Sequence, residues 1–144
     1  MIVLDTTVLV YATGREHPLR EPCRRLVDAV GDGRLRATTT VEVVQEFVHV
    51  RSRRLDRADA VDEGRQYLRL LRPLLMADEA ALYHGLDLYR RHDLGMFDAL
   101  LAAAAVTGSA EALVSADRGF VGVPGLRHVD PSSPSFLGDL GLSA

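Results

Sequence analysis

Two short, predominantly apolar runs, one near each end of the chain, constrain the fold more than any other feature. They span residues 2–4 and 112–115, and runs of this length without polar alternation are typical of buried strands in a parallel sheet. Strand-like and helix-like segments alternate between them, which predicts an α/β fold. Asp5 directly follows the first run, and Asp117 comes just after the second. Because ligands of open α/β sheets bind beyond the carboxyl ends of the strands, both acids are candidates for chemistry.

The pattern also predicts the order of the elements. Thr40 has the side chain of a helix N-cap, Pro73 closes a helix, and Gly108 ends an Ala-rich helix that is expected to pack closely on the sheet. The tail from residue 130 is rich in Pro and Ser, and its apolar side chains from Phe136 to Leu142 are expected to pack back onto the domain. The predicted strands span residues 1–4, 35–38, 73–76 and 112–115, and the predicted helices span residues 6–12, 19–30, 41–54, 57–71, 79–91 and 97–107.

Length and composition predict one domain over residues 1–144, with residues 130–144 as its tail. The net charge of −3 excludes a broad basic face of the kind that binds duplex nucleic acid tightly. Cys23 is the only cysteine, so an intramolecular disulfide is excluded. The first residues lack a basic signal-peptide region, and the apolar run at residues 99–106 is too short to span a membrane. We therefore expect a cytoplasmic protein that does not contact membranes.

Four carboxylates lie at positions where a parallel sheet would bring them to one edge: Asp5, Glu46, Asp98 and Asp117. Mg²⁺ prefers a few convergent carboxylate oxygens and keeps several waters, and a cation would offset the repulsion among the acids. Each acid taken alone has a plain structural alternative. Asp5 and Asp98 suit helix starts, Glu46 suits a solvated helix face, and Asp117 suits a turn. The four together indicate a divalent-metal site for phosphodiester hydrolysis.

Four segments carry a resemblance to a known family. Residues 2–10, 39–46, 97–104 and 115–120 resemble the motifs of the PIN-domain ribonucleases in order and spacing, and most resemble the VapC toxins of bacterial toxin–antitoxin pairs. The resemblance covers nearly the whole chain. Gly119 departs from it, because many relatives carry a further Asp at that position, and this puts a second metal ion in doubt.

The resemblance implies a single PIN-like domain with a parallel sheet of about five strands and helices on both faces. It implies an endoribonuclease that uses Mg²⁺ or Mn²⁺, with metal ligands Asp5, Glu46, Asp98 and Asp117, and with Thr6 and Ser115 as supporting hydroxyls. Hydrolysis by water would leave 5′-phosphate and 3′-hydroxyl ends. Relatives form homodimers and are neutralised by an antitoxin protein, and the helices at 41–54 and 57–71 are the expected contact surface for its tail.

Arginine is the other notable residue type, because all 17 basic side chains are Arg and none is Lys. Arg51, Arg53, Arg54 and Arg57 cluster at one predicted helix end. They are candidates for RNA phosphate contacts, although a solvated charged face explains them as simply. The absence of Lys argues against a phosphoacceptor receiver module. An inactive PIN-like binding module stays open as the alternative function.

Overall fold

A four-stranded parallel sheet forms the centre of the computed structural model, which describes residues 1–142. The sheet order is β2-β1-β3-β4, and β1 is flanked on both sides, with Val3 opposite Thr38 of β2 and Leu113 of β3. The strands are β1 (Ile2–Leu4), β2 (Ala37–Thr38), β3 (Ala112–Val114) and β4 (His128–Val129). The predicted α/β class with a parallel sheet is therefore confirmed.

The six predicted helices are all present. The helices are α1 (Thr6–Thr13), α2 (Arg20–Gly31), α3 (Val41–Arg51), α4 (Arg57–Leu71), α5 (Glu79–Arg91), α6 (Met96–Thr107) and α7 (Phe136–Asp139), with a short 3-10 helix at Arg118–Phe120. Thr40 caps α3 as predicted, because its hydroxyl accepts from the Val43 amide. α3 ends three residues earlier than predicted, where the Ser52 hydroxyl donates to the Val48 carbonyl. No helix in the described residues is long and apolar enough to cross a membrane.

The prediction of a strand at residues 73–76 was wrong. This segment forms a single parallel bridge, between Leu75 and Thr40, closed by the Leu75 amide on the Thr39 carbonyl at 2.9 Å. Pro73 has no amide hydrogen to donate, and its carbonyl accepts from the Thr38 hydroxyl instead of a backbone amide. The strand β4 was not predicted. The sheet has four strands within residues 1–142, where the resemblance implies about five.

The core lies around the two central strands, whose side chains are all buried. The small side chains of α6 allow close packing, and Gly85 of α5 lies so near that a Cβ there would be 3.2 Å from the Leu100 Cα atom. This contact positions the start of α6, where Asp98 lies. The tail packs back as predicted, because Phe136 and Leu142 are buried in the same core. Residues 143–144 of the predicted tail lie outside the described part of the chain.

Candidate active site

The carboxyl ends of β1 and β3 deliver two of the four acids to the same edge of the sheet. Asp5 follows β1, caps α1 by accepting from the Thr6 amide at 2.7 Å, and donates its own amide to the Val114 carbonyl of β3. Asp117 lies three residues beyond β3 and caps the 3-10 helix by accepting from the Gly119 amide at 2.8 Å. Asp5 and Asp117 therefore fill the N-cap and turn roles of their structural alternatives, and they also lie at the same edge of the sheet.

The Asp5 carboxylate is held by three donors in a buried setting. Besides the Thr6 amide, its Oδ2 atom accepts from the Ser115 hydroxyl at 2.6 Å and from the Thr7 hydroxyl at 2.9 Å. Only 4% of Asp5 is exposed, and burial raises its pKa even though the hydrogen bonds act in the opposite direction. Asp5 is thus fixed in position but poorly compensated in charge.

The two supporting hydroxyls both contact site acids. The Thr6 hydroxyl donates to Glu46 Oε2 at 2.6 Å and so joins the start of α1 to the middle of α3. The Ser115 hydroxyl donates to Asp5 and accepts from the Asp117 amide at 2.9 Å. Thr6 and Ser115 therefore orient carboxylates in this structure.

Asp98 joins the cluster from the first turn of α6 and is half-buried. Burial, and after it the charges of Asp5, Asp117 and Glu46 in that order, together raise its pKa to about 6. The helix N-terminus favours a carboxylate at this position, yet desolvation and repulsion outweigh it. The shift places all four predicted acids within one electrostatic neighbourhood.

A cavity of about 500 Å³, which we call the acid cavity, is lined by Asp5, Glu46, Asp98 and Asp117. Tyr11, His17, Arg15 and Arg54 also line it. Of the predicted arginines, Arg51 and Arg54 line this cavity, whereas Arg15 was missed because it is an isolated Arg in a loop after Gly14. His17, which also lines the cavity, stacks on Tyr11 with ring centroids 4.3 Å apart.

Arg51 conflicts with its predicted role as a phosphate contact. Its Nε and Nη2 atoms donate to the two carboxylate oxygens of Glu63 on α4, at 2.7 and 3.1 Å, and only 9% of the residue is exposed. The fork that would grip a phosphate is occupied by this acid. Arg53 contacts His49, and Arg57 lines a different cavity. The arginine cluster is therefore divided among separate contacts.

The donor chemistry of the acid cavity fits a hard divalent cation. Within residues 1–142, no group of three or more His, Cys, Asp or Glu side chains is placed so that it could hold a metal ion, so the acids do not form a complete metal cage. Mg²⁺ does not need one, because it binds through one or two carboxylates and keeps much of its water. The pKa values of Asp5 and Asp98 are raised chiefly by burial and also by neighbouring carboxylates, and a bound cation would offset both effects.

Removal of the Asp98 charge is expected to stabilise the metal-free protein at neutral pH. The pKa of Asp98 is about 6 in the fold against an ordinary 3.8, so folding favours the protonated form. The free energy of unfolding therefore falls as the pH rises from 3.8 to about 6, and it does not recover at higher pH. We expect Asp98→Asn to raise Tm by about 3 °C at about pH 7.5 in EDTA, or about 1 kcal/mol after allowance for partial exposure.

The same measurement at about pH 3.5 should show little gain, since Asp98 is then mostly protonated in both states. Asp32→Asn is the matched control, because this exposed acid lies before β2 at the opposite edge of the sheet. Equal melting temperatures for wild type and Asp98→Asn at neutral pH would contradict the electrostatic picture.

Comparisons with known proteins identify the family of this chain. The model of the PIN domain family matches residues 2–126. The chain is 51% identical over 143 residues to Ribonuclease VapC7 of Mycobacterium tuberculosis (strain ATCC 25618 / H37Rv), covering 98% of this chain and 99% of the relative.

Two solved structures share the fold at low sequence identity. A toxin–antitoxin complex from Klebsiella pneumoniae superposes with a TM-score of 0.69 at 16% identity, over 91% of this chain and 98% of that one. VapC20 of Mycobacterium tuberculosis, a toxin that cleaves the sarcin–ricin loop, gives a TM-score of 0.69 at 16% identity, over 88% and 99%. The chain belongs to the PIN-domain family and is VapC-like along nearly its whole length.

Proposed function

We propose that this protein is a Mg²⁺- or Mn²⁺-dependent endoribonuclease and the toxin of a type II toxin–antitoxin pair. The observation that carries the proposal is the convergence of four carboxylates from four separate chain segments on the acid cavity. Its similarity to a relative named as a ribonuclease supports RNA as the substrate.

The chain's own residues prepare the site in distinct ways. Asp5, Asp98 and Asp117 would hold the cation, with Glu46 ligating it or positioning water. Thr6 fixes the rotamer of Glu46, and Ser115 fixes Asp5 relative to the Asp117 backbone. When bound, the cation supplies charge neutralisation at the phosphodiester and an activated water.

Two basic side chains in the lining of the acid cavity suit the flanking phosphates of an RNA strand. Arg15 and Arg54 are exposed and line the cavity that the acids share. Arginine forks bind phosphate oxygens with charge-assisted hydrogen bonds. Because the acids repel a polyanion, such local basic groups are needed to draw RNA to a chain with net charge −3. We assign Arg15 and Arg54 to this role.

Cleavage of RNA by the purified protein tests the proposal directly. We expect discrete fragments from total cellular RNA in Mg²⁺, with 5′-phosphate ends, and no fragments in EDTA. Asp98→Asn should lower the rate by at least about 100-fold, because even residues that only orient metal ligands contribute 10- to 100-fold. Sequencing gels of end-labelled fragments measure both the rate and the end chemistry.

Asp32→Asn serves as the control for loss of one acidic charge and should cleave like wild type. Asp98→Asn is expected to melt at a higher temperature than wild type, so its inactivity cannot be attributed to unfolding. If folded wild-type protein cleaves no class of RNA in Mg²⁺ or Mn²⁺, the alternative of an inactive PIN-like binding module replaces the nuclease.

Loss of one phosphate contact should weaken RNA binding without changing the chemical step. We expect Arg54→Ala to raise KM by about 3- to 10-fold, equivalent to roughly 1 kcal/mol, and to leave kcat near the wild-type value. The slope of log affinity against log salt should fall by about 0.7 for single-stranded RNA. Arg34→Ala is the matched control, since Arg34 precedes β2 at the opposite sheet edge. Equal KM values for Arg54→Ala and Arg34→Ala would refute the assignment.

An antitoxin is the proposed protein partner, by similarity to chains solved within toxin–antitoxin complexes. The resemblance predicts that the antitoxin tail contacts α3 and α4. Val41, Val61 and Leu68 are exposed on these helices, which supports this face as the antitoxin contact. RNA cleavage that is insensitive to the cognate antitoxin would argue against this pairing.

A second copy of the chain is the other proposed partner, through the outer face of α5. Leu82, Leu86 and Tyr89 are exposed at helical spacing, which is the pattern of a helix with one unpartnered apolar stripe. Glu79 begins α5 and Arg90 lies near its end. A two-fold antiparallel pairing would place each Glu79 near the other copy's Arg90.

Leu86→Arg should disrupt that homodimer, because it places two like charges near the two-fold axis. We expect sedimentation velocity to give a dimer for wild type and a monomer for Leu86→Arg. Met76→Arg is the control, as Met76 is an exposed apolar residue before α5. A monomeric wild type at about 100 μM, or a dimeric Leu86→Arg, would exclude α5 as the interface.

A further inference from the structure

Phe97 has the largest exposed fraction of any large hydrophobic side chain in the described residues, at 79%. It lies in the first turn of α6, next to Asp98, while the following residues of the helix, including Ala99 and Leu101, are buried. The ring therefore contributes little to the core. Single exposed apolar residues are common in proteins. A functional role for Phe97 must therefore be argued from its location.

The ring borders two cavities that meet at the acid cluster. One is a small pocket that Phe97 shares with Asp5, Glu46 and Asp98. The other, which we call the side cavity, has a volume of about 650 Å³ and is bounded by α3, α4 and the start of α6. Glu46 lines the side cavity as well as the acid cavity. A ligand can thus extend from the acids past the ring without leaving the surface depression.

The lining of the side cavity is mixed rather than apolar. His49, Arg57 and Gln45 accompany the ring, and they offer hydrogen-bond donors and acceptors around an aromatic face. The volume lies within the usual range for sites that hold small organic groups. This combination of one aromatic face with a few polar groups is the one that binds nucleobases of single-stranded RNA.

We propose that Phe97 is the stacking platform for a nucleobase adjacent to the phosphate that is cleaved. The inference rests on the proposed ribonuclease function and adds a base subsite to it. Phe97 and Asp98 are consecutive, so their Cα atoms are about 3.8 Å apart. With a cation bound at the acid cluster, a polynucleotide supplies a phosphate to that cation and a π face to the ring within one nucleotide.

Stacking on Phe97 would make the ring a specificity residue and not a catalytic one. Every base has a π face, so the ring alone tolerates all four bases. Selectivity would come from the strength of stacking and from the edges that Gln45, His49 and Arg57 can reach. The ring would then influence where a strand is cut, while the four acids determine that it is cut.

The test uses the full chain and the shortest RNA that wild type cleaves, with 2-aminopurine substituted at each position in turn. Stacking on an aromatic ring quenches 2-aminopurine fluorescence, so we expect quenching at one position flanking the cut. Phe97→Ala should abolish this quenching and raise KM on the order of 10-fold with little change in kcat, and Phe97→Tyr should restore both. Met76→Ala is the matched control, since Met76 has a similar exposure of 77%.

The outcomes separate the two proposals. If wild type and Met76→Ala cleave RNA while Phe97→Ala keeps the quenching and the wild-type KM, the base subsite is wrong and the nuclease stands. In that case the ring belongs to a protein-docking surface. If neither wild type nor Met76→Ala cleaves any RNA, the ribonuclease function fails and the base subsite fails with it.

Discussion

The buried carboxylate of Asp5 is the group on which the rest of the site depends. An isolated charge at this depth would cost several kcal/mol, and three donors from Thr6, Thr7 and Ser115 offset only part of that cost. Two of these donors begin α1 and the third follows β3, so one carboxylate joins the ends of the two central strands. The Thr7 hydroxyl also accepts from the Ala116 amide, which extends the network toward Asp117. The position of each acid is therefore coupled to the packing of the sheet.

Burial and mutual repulsion of the acids both oppose their ionisation in the site. The pKa of Asp98 rises because burial and three neighbouring carboxylates oppose its ionisation, and Asp5 responds to burial in the same direction. A fold that keeps these acids in place must draw stability from elsewhere, and the fully buried β1 and β3 provide it. The bidentate Arg51 to Glu63 pair adds a contact between α3 and α4. Arg51 at the end of α3 thus stabilises helix packing, and Arg54 in the turn that follows lines the acid cavity.

Local patterns predicted the helices and the location of the acids, because both depend on short-range chemistry. Thr40 capped α3 as its side chain indicates, and Asp5 lies beyond β1 as the apolar run before it requires. The wrong and missing predictions concern contacts between separate helices and strands. Glu63 is twelve residues from Arg51, and no spacing rule identifies a partner on another helix. Two-residue strands such as β4 have too little pattern to detect, and Pro73 limits its segment to a bridge through a missing amide.

The first turn of α6 carries the acid Asp98 and the exposed ring of Phe97 side by side. Its position depends on the close approach of α5 at Gly85, where no side chain separates the two helices. α5 in turn exposes an apolar face on its outer side. A contact made on that outer face would restrain α5, and through Gly85 it would restrain the backbone that presents Phe97 and Asp98. Assembly and the geometry of the site would then depend on the same pair of helices, since small residues in α5 and α6 leave little space for independent movement.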